Sequence, residues 1–207
     1  MILSVLFCLV CMMGNAFGGE GYGIELERPP YKLATNQPKD RSYEVREYAA
    51  ANWTSTQMDS ASSKSSEAFM RLFKYIQGRN AAGATIDMTA PVTTHIAPGP
   101  TIFDMKRTMS FYIPQDFQAD PPAPTDTEVY IEERQPMTAY VRSFPGWASE
   151  TENWVNVYKL FEDMKRNGVD EDTVDLTSFY TAGYNSPMRF IKRHNEVWLL
   201  SKTPNRT

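Results

Sequence analysis

The residues best placed to do chemistry lie on one predicted helix. At about 100 degrees per residue, Met70 and Lys74 fall one turn apart, flanking an apolar stripe that holds Phe69 and Phe73, with Ser66 one turn earlier. A methionine and a phenylalanine edge beside a lysine suit a flat apolar ring carrying carboxylates, which gains from burial and takes a cation at its rim. On geometry alone such a stripe also reads as core, with the Lys74 stem lying along the surface. Other chemistry is sparse. The two histidines, His95 and His194, lack the spacing that holds a metal, and each reads as a surface or turn residue. No Gly-x-Ser-x-Gly elbow occurs. The acidic cluster of Asp170, Glu171, Asp172 and Asp175 lacks the glycine and spaced ligands of a calcium loop, so it reads as a solvated turn.

The elements that must position these residues occur twice. Met88 to Thr93 is echoed by Tyr180 to Pro187, Tyr43 to Tyr48 by Val129 to Arg134, and the aromatic helix around Phe69 and Phe73 by one around Val157 and Phe161. Each half, about 43–114 and 128–202, reads strand, strand, helix, strand, strand. The first helix is expected over about 63–77 with Phe69, Leu72, Phe73 and Ile76 inward and Gly78 as its stop. The second is expected over about 150–166, opened by the capping box of Ser149 and Glu152, with Trp154, Val157, Phe161 and Met164 inward. Both helices packing on one set of strands gives an α+β domain. Residues 19–42 read as an extended lead-in. The proline-rich stretch 114–124 reads as the connection between halves, and 203–207 as a tail.

Residues Ile2 to Met13 are apolar apart from Ser4, and Ala16 and Gly18 flank Phe17, which predicts a signal peptide over 1–18 and entry into the secretory route. No later stretch reaches the length of a transmembrane helix, so no stable membrane insertion is expected after cleavage. Cys8 and Cys11 both fall inside that segment, leaving a mature chain without thiol nucleophile, disulfide or thiolate ligand. Asn52 and Asn205 are sequon acceptors. Alternation with an inward Trp53 would turn Asn52 and Thr54 outward, as a glycan requires. A net charge of −4 with no basic block argues against nucleic acid as a partner.

Tyr43 to Arg46, Lys74 to Gly78, Met88 to Thr93, Tyr180 to Asn185 and Asn195 to Leu199 together resemble the SOUL/heme-binding protein family, over roughly residues 31–202. The resemblance implies a distorted antiparallel β-barrel flanked by two long helices, a domain over 43–202, and non-enzymatic binding of heme or metal-free porphyrin as carrier, buffer or scavenger. It places the ligand's apolar contacts on Phe69 and Phe73, with Met70 beside them. Its cationic contacts fall on Lys74 and on Arg189, the latter in a loop shared with Met188. Two positions depart from the family pattern. A basic residue of some relatives is Ser66 here, and the histidine proposed as an axial ligand in some members is Glu47. Met70, Met188 and His194 are the remaining candidates to ligate iron. The alternatives are an interaction module that has lost the tetrapyrrole, for which no protein partner is indicated, and a small-molecule effector-binding or hydrolytic relative using Tyr180 or Glu132.

Overall fold

In the computed structural model, residues 26–58, 65–101, 104–185 and 193–202 are described. The elements run β1 (Tyr31–Leu33), β2 (Glu44–Tyr48), β3 (Ala51–Met58), α1 (Ser65–Ile76), β4 (Val92–Pro98), β5 (Met105–Tyr112), α2 (Gln115–Gln118) and β6 (Val129–Arg134). They continue through β7 (Met137–Pro145), α3 (Glu150–Arg166), a 3-10 turn (Glu171–Thr173), β8 (Val174–Gly183) and β9 (His194–Ser201). All nine strands join one antiparallel sheet in the order β1-β2-β7-β9-β8-β4-β5-β3-β6. The sheet curls into a half-barrel. Among the described residues β1 and β6 each pair with a single neighbour, so the distorted barrel implied by the resemblance takes the form of an open curl, and the α+β class holds.

Period-two alternation gives the sheet two buried faces. On the convex face α1 seals a cluster of Ala68, Leu72, Phe73, Tyr75 and Ile76 against Met109, Phe111 and Val129, and α3 seals Leu160 and Met164 against Val45, Tyr140, Phe179, Val197 and Leu199. The concave face holds Tyr48, Val141, Tyr180 and Trp198. Gly78, at φ 102°, supplies the left-handed residue that ends α1, and Arg79 N–H donates to the Lys74 carbonyl.

The second helix has the expected bounds. Ser149 Oγ accepts from the Glu152 N–H at 3.1 Å, and Val169 N–H returns to the Met164 carbonyl past Gly168. Its buried face is rotated from the expected one. Asn156, Leu160, Asp163 and Met164 are inward, Val157 and Phe161 are only half-buried, and Trp154 is 45% exposed with its edge on Phe179. The cause is Arg142 on β7, which projects toward the helix and hydrogen-bonds Asp163 and Asn156, so the helix turns those polar partners to the sheet.

Two further segments gain local structure. The lead-in 19–42 contributes β1, and Gln37 fixes the turn behind it by bonding both the N–H and the C=O of Val45. The stretch 114–124 contains the single-turn α2, because Pro114 stands ahead of the first helical residue, where no N–H is needed.

Candidate functional site

Helix α1 forms because Ala68, Leu72, Tyr75 and Ile76 repeat at helical spacing and find an apolar strand surface beneath them. Its flank is the candidate site. Phe73 is only 6% exposed and belongs to the core, so it backs the surface without forming it. Phe69 is half-buried, lying parallel to Phe73 at 5.9 Å between ring centres and tilted on Phe111 at 5.2 Å. Met70 is half-buried beside it, and Lys74 is exposed one turn on. Phe69 and Met70 therefore make an apolar shoulder with an ammonium at its edge. Ser66 is exposed and brings no charge, whereas Arg71 is held on Thr56 Oγ1 and on Glu128 at 3.1 Å.

Met188 and Arg189 lie outside the described residues, as do the segment 1–18 with both cysteines, the tail 203–207 and Asn205. The strand that precedes Met188 and Arg189, β8, is described to its end at Gly183. Gly183 pairs with Val92, and Val92 packs against the α1 cluster, so β8 ends one strand away from the shoulder.

The iron-ligand candidates separate on geometry. His194 is not in a turn but opens β9, and its Nε2 is 2.8 Å from Glu196 Oε1. That nitrogen is engaged by a buried carboxylate. Glu47 sits on the same side of β2 as Val45, in the half of the sheet under α3, with β7, β9, β8 and β4 between β2 and the strands beneath α1. Met70 remains within reach of a ligand on the shoulder. Among the described residues no three His, Cys, Asp or Glu side chains gather as a metal site.

Outward exposure of the Asn52 sequon is not observed. Trp53 does point inward at 1% exposure, but Thr54 is equally buried, and Asn52 Nδ2 donates to the Gln118 carbonyl at 2.8 Å. Alternation assigns opposite faces, and here both faces of β3 are covered. His95, read as surface, is half-buried on the concave side of β4 and stacks on Tyr180 at 4.3 Å. Burial and the neighbouring Arg134 charge lower its pKa.

The concave face carries the feature that sequence reasoning missed. Glu196, 1% exposed, accepts two hydrogen bonds from Arg46 at 3.0 and 3.1 Å, one from Trp198 Nε1 at 2.7 Å and one from the Tyr184 hydroxyl at 2.8 Å. Burial raises its pKa, but the His194 hydrogen bond, the Arg46 charge and the bonds from Arg46 and Trp198 outweigh it and bring the value down to about 2. Tyr184 and Tyr48 are both pushed upward, first by burial. The available signal was a charged residue inside a strand apolar on both sides, since a buried glutamate there requires a buried cation or donors around it.

The whole described fold matches known proteins. The family model described as SOUL heme-binding protein matches residues 26–200. Human Heme-binding protein 2 is 40% identical over 181 residues, covering 86% of this chain and 87% of the relative. Heme-binding protein 1 of Xenopus tropicalis is 34% identical over 192 residues, covering 90% and 95%. The crystal structure of an uncharacterized conserved protein from Listeria innocua superposes with a TM-score of 0.55 at 14% identity, over 78% of this chain and 93% of that one, which shows a shared fold. With the family model spanning almost every described element and relatives this similar along their whole length, the chain belongs to the SOUL heme-binding protein family.

Proposed function

We propose that this protein binds heme or a metal-free porphyrin on the α1 shoulder and acts as a non-enzymatic carrier, buffer or scavenger after entering the secretory route. The observation that carries the reading is the side-by-side exposure of Phe69, Met70 and Lys74 on a helix of a SOUL-family fold. The residues fit such a ligand: the apolar pair would cover the macrocycle face, and Lys74 would meet a propionate, with Arg189 as the second cation. Bound heme would supply iron. Since His194 Nε2 is engaged and the histidine position of some relatives is Glu47, under the other half of the sheet, ring burial rather than axial coordination would dominate, and a metal-free porphyrin would be tolerated.

The duplicated architecture supports the same reading of the chain. Exchanging β2 through β5 with β6 through β9 turns the order β2-β7-β9-β8-β4-β5-β3-β6 into its own reverse, as two repeats related by a pseudo-twofold axis require. The segment 1–18 supports secretory entry, and of the two sequon acceptors Asn52 has its amide engaged by the Gln118 carbonyl, which favours Asn205 for a glycan.

The test is a parallel titration of the mature protein with hemin and with protoporphyrin, repeated on Lys74→Glu/Arg189→Glu. Saturable binding of both ligands, weakened about tenfold or more by the double change, supports the reading; a tenfold loss corresponds to about 1.4 kcal/mol. A Soret spectrum no different from that given by a non-binding control protein overturns it.

A further inference from the structure

At the end of the curl beside the β2–β3 connection lies a cleft of about 190 Å³. The rings of Tyr48, Trp53 and Tyr112 wall it together with Met137, and Pro29 and Pro30 run along its margin. Among the described residues one charged group lines it, Arg134, which is only 6% exposed. Its guanidinium lies 4.0 Å over the Trp53 ring and 5.1 Å over Tyr180. The two buried arginines of the concave face differ in how tightly they are held. Arg46 is clasped by Glu44 and Glu196 at 2.7 to 3.1 Å. Arg134 reaches Glu132 and Thr93 only at 3.3 Å, and that Glu132 oxygen also accepts from Ser55 at 2.7 Å. A buried five-donor fork on such long bonds gains from a closer acceptor.

We propose that this cleft binds a small aromatic carboxylate, its carboxylate on Arg134 and its ring among Trp53, Tyr112 and Tyr48. The volume is well below the roughly 300 Å³ at which sites for drug-sized ligands begin, so it takes a single-ring molecule and excludes a tetrapyrrole. The site is separate from the α1 shoulder. Trp53 faces the cleft, while the next residue, Thr54, points through the sheet toward the helix side. Charge sets the class of ligand: an amine of the same shape would meet the Arg134 cation in a largely desolvated setting, where repulsion is strong.

The test follows the indole N–H of Trp53 in heteronuclear NMR spectra of the full mature protein while sodium benzoate or benzylamine is added. Benzoate is expected to shift that signal saturably, with benzylamine at least tenfold weaker. Ala50→Trp, at the exposed rim of the cleft, should abolish the benzoate shift and leave hemin binding unchanged. Arg134→Lys, which keeps the charge but loses the fork, should weaken benzoate about fivefold or more. The proposal is overturned if benzoate gives no saturable shift, if benzylamine matches it, or if the shift survives Ala50→Trp. None of these outcomes depends on whether the α1 shoulder takes a tetrapyrrole.

Discussion

The two faces of the curled sheet bury side chains of opposite character. On the convex face, α1 and α3 lie over apolar clusters, and the α1 flank is left as a shoulder with an exposed lysine. The concave face is crossed by rings, from Tyr48 stacked on Trp198 at 5.4 Å to His95 stacked on Tyr180, and charged residues are inserted among them. An apolar cluster tolerates a change of volume in proportion to what is removed, whereas a buried ion pair tolerates almost no change in either partner. Stability therefore depends most sharply on the concave face, whereas the proposed tetrapyrrole site lies on the convex one.

The largest effect should come from Arg46→Met or Glu196→Gln. Each removes the buried charge opposite its partner and should cost about 3–5 kcal/mol in urea unfolding. If instead either cost under about 1 kcal/mol, the concave pair would not be the anchor described. Next, Phe73→Ala should cost about 3 kcal/mol as a core truncation. Phe69→Ala should cost visibly less stability while losing more hemin affinity, and equal losses in both readouts would erase the distinction between core and shoulder.

A pH series sharpens the same contrast. Glu196 in the folded protein titrates at about 2, below an ordinary glutamate's 4.5, so its contribution is present above 4.5 and is lost as pH falls toward 2. Glu196→Gln should flatten that part of the acid limb. An unchanged limb in the variant would show that other carboxylates carry it. The smallest stability effect is expected for Lys74→Glu, within about 0.5 kcal/mol because the side chain is exposed. Hemin affinity should nonetheless fall severalfold.

Local signals were legible wherever one element determined the outcome. The Ser149 to Glu152 box gave α3 its start, Gly78 and Gly168 gave both helices their ends, and the Phe69 to Ile76 stripe identified the inward side of α1. What remained hidden depends on residues far apart in the chain. Trp154 was expected inward because apolar periodicity ignores Arg142, whose bonds to Asn156 and Asp163 rotate the helix. Thr54 was expected outward because alternation does not reveal that α1 covers the far face. Arg46 and Glu196 are separated by 150 positions, and only the β2-β7-β9 pairing brings them together. Of the shoulder, Met70 and Lys74 were readable as a helix flank and Phe73 as inward, but Phe69, read as part of the same inward stripe, is left half-buried at its edge, which only the strands beneath the helix decide.

The central claim is that the tetrapyrrole sits on the convex shoulder. Its most direct test is to add hemin to uniformly labelled protein and map paramagnetic broadening. The account predicts loss of the Met70 methyl and of the amides from Phe69 to Lys74, with the Trp53 and Trp198 indole signals retained. Broadening of those indoles with an intact α1 would put the ligand in the concave face and contradict it.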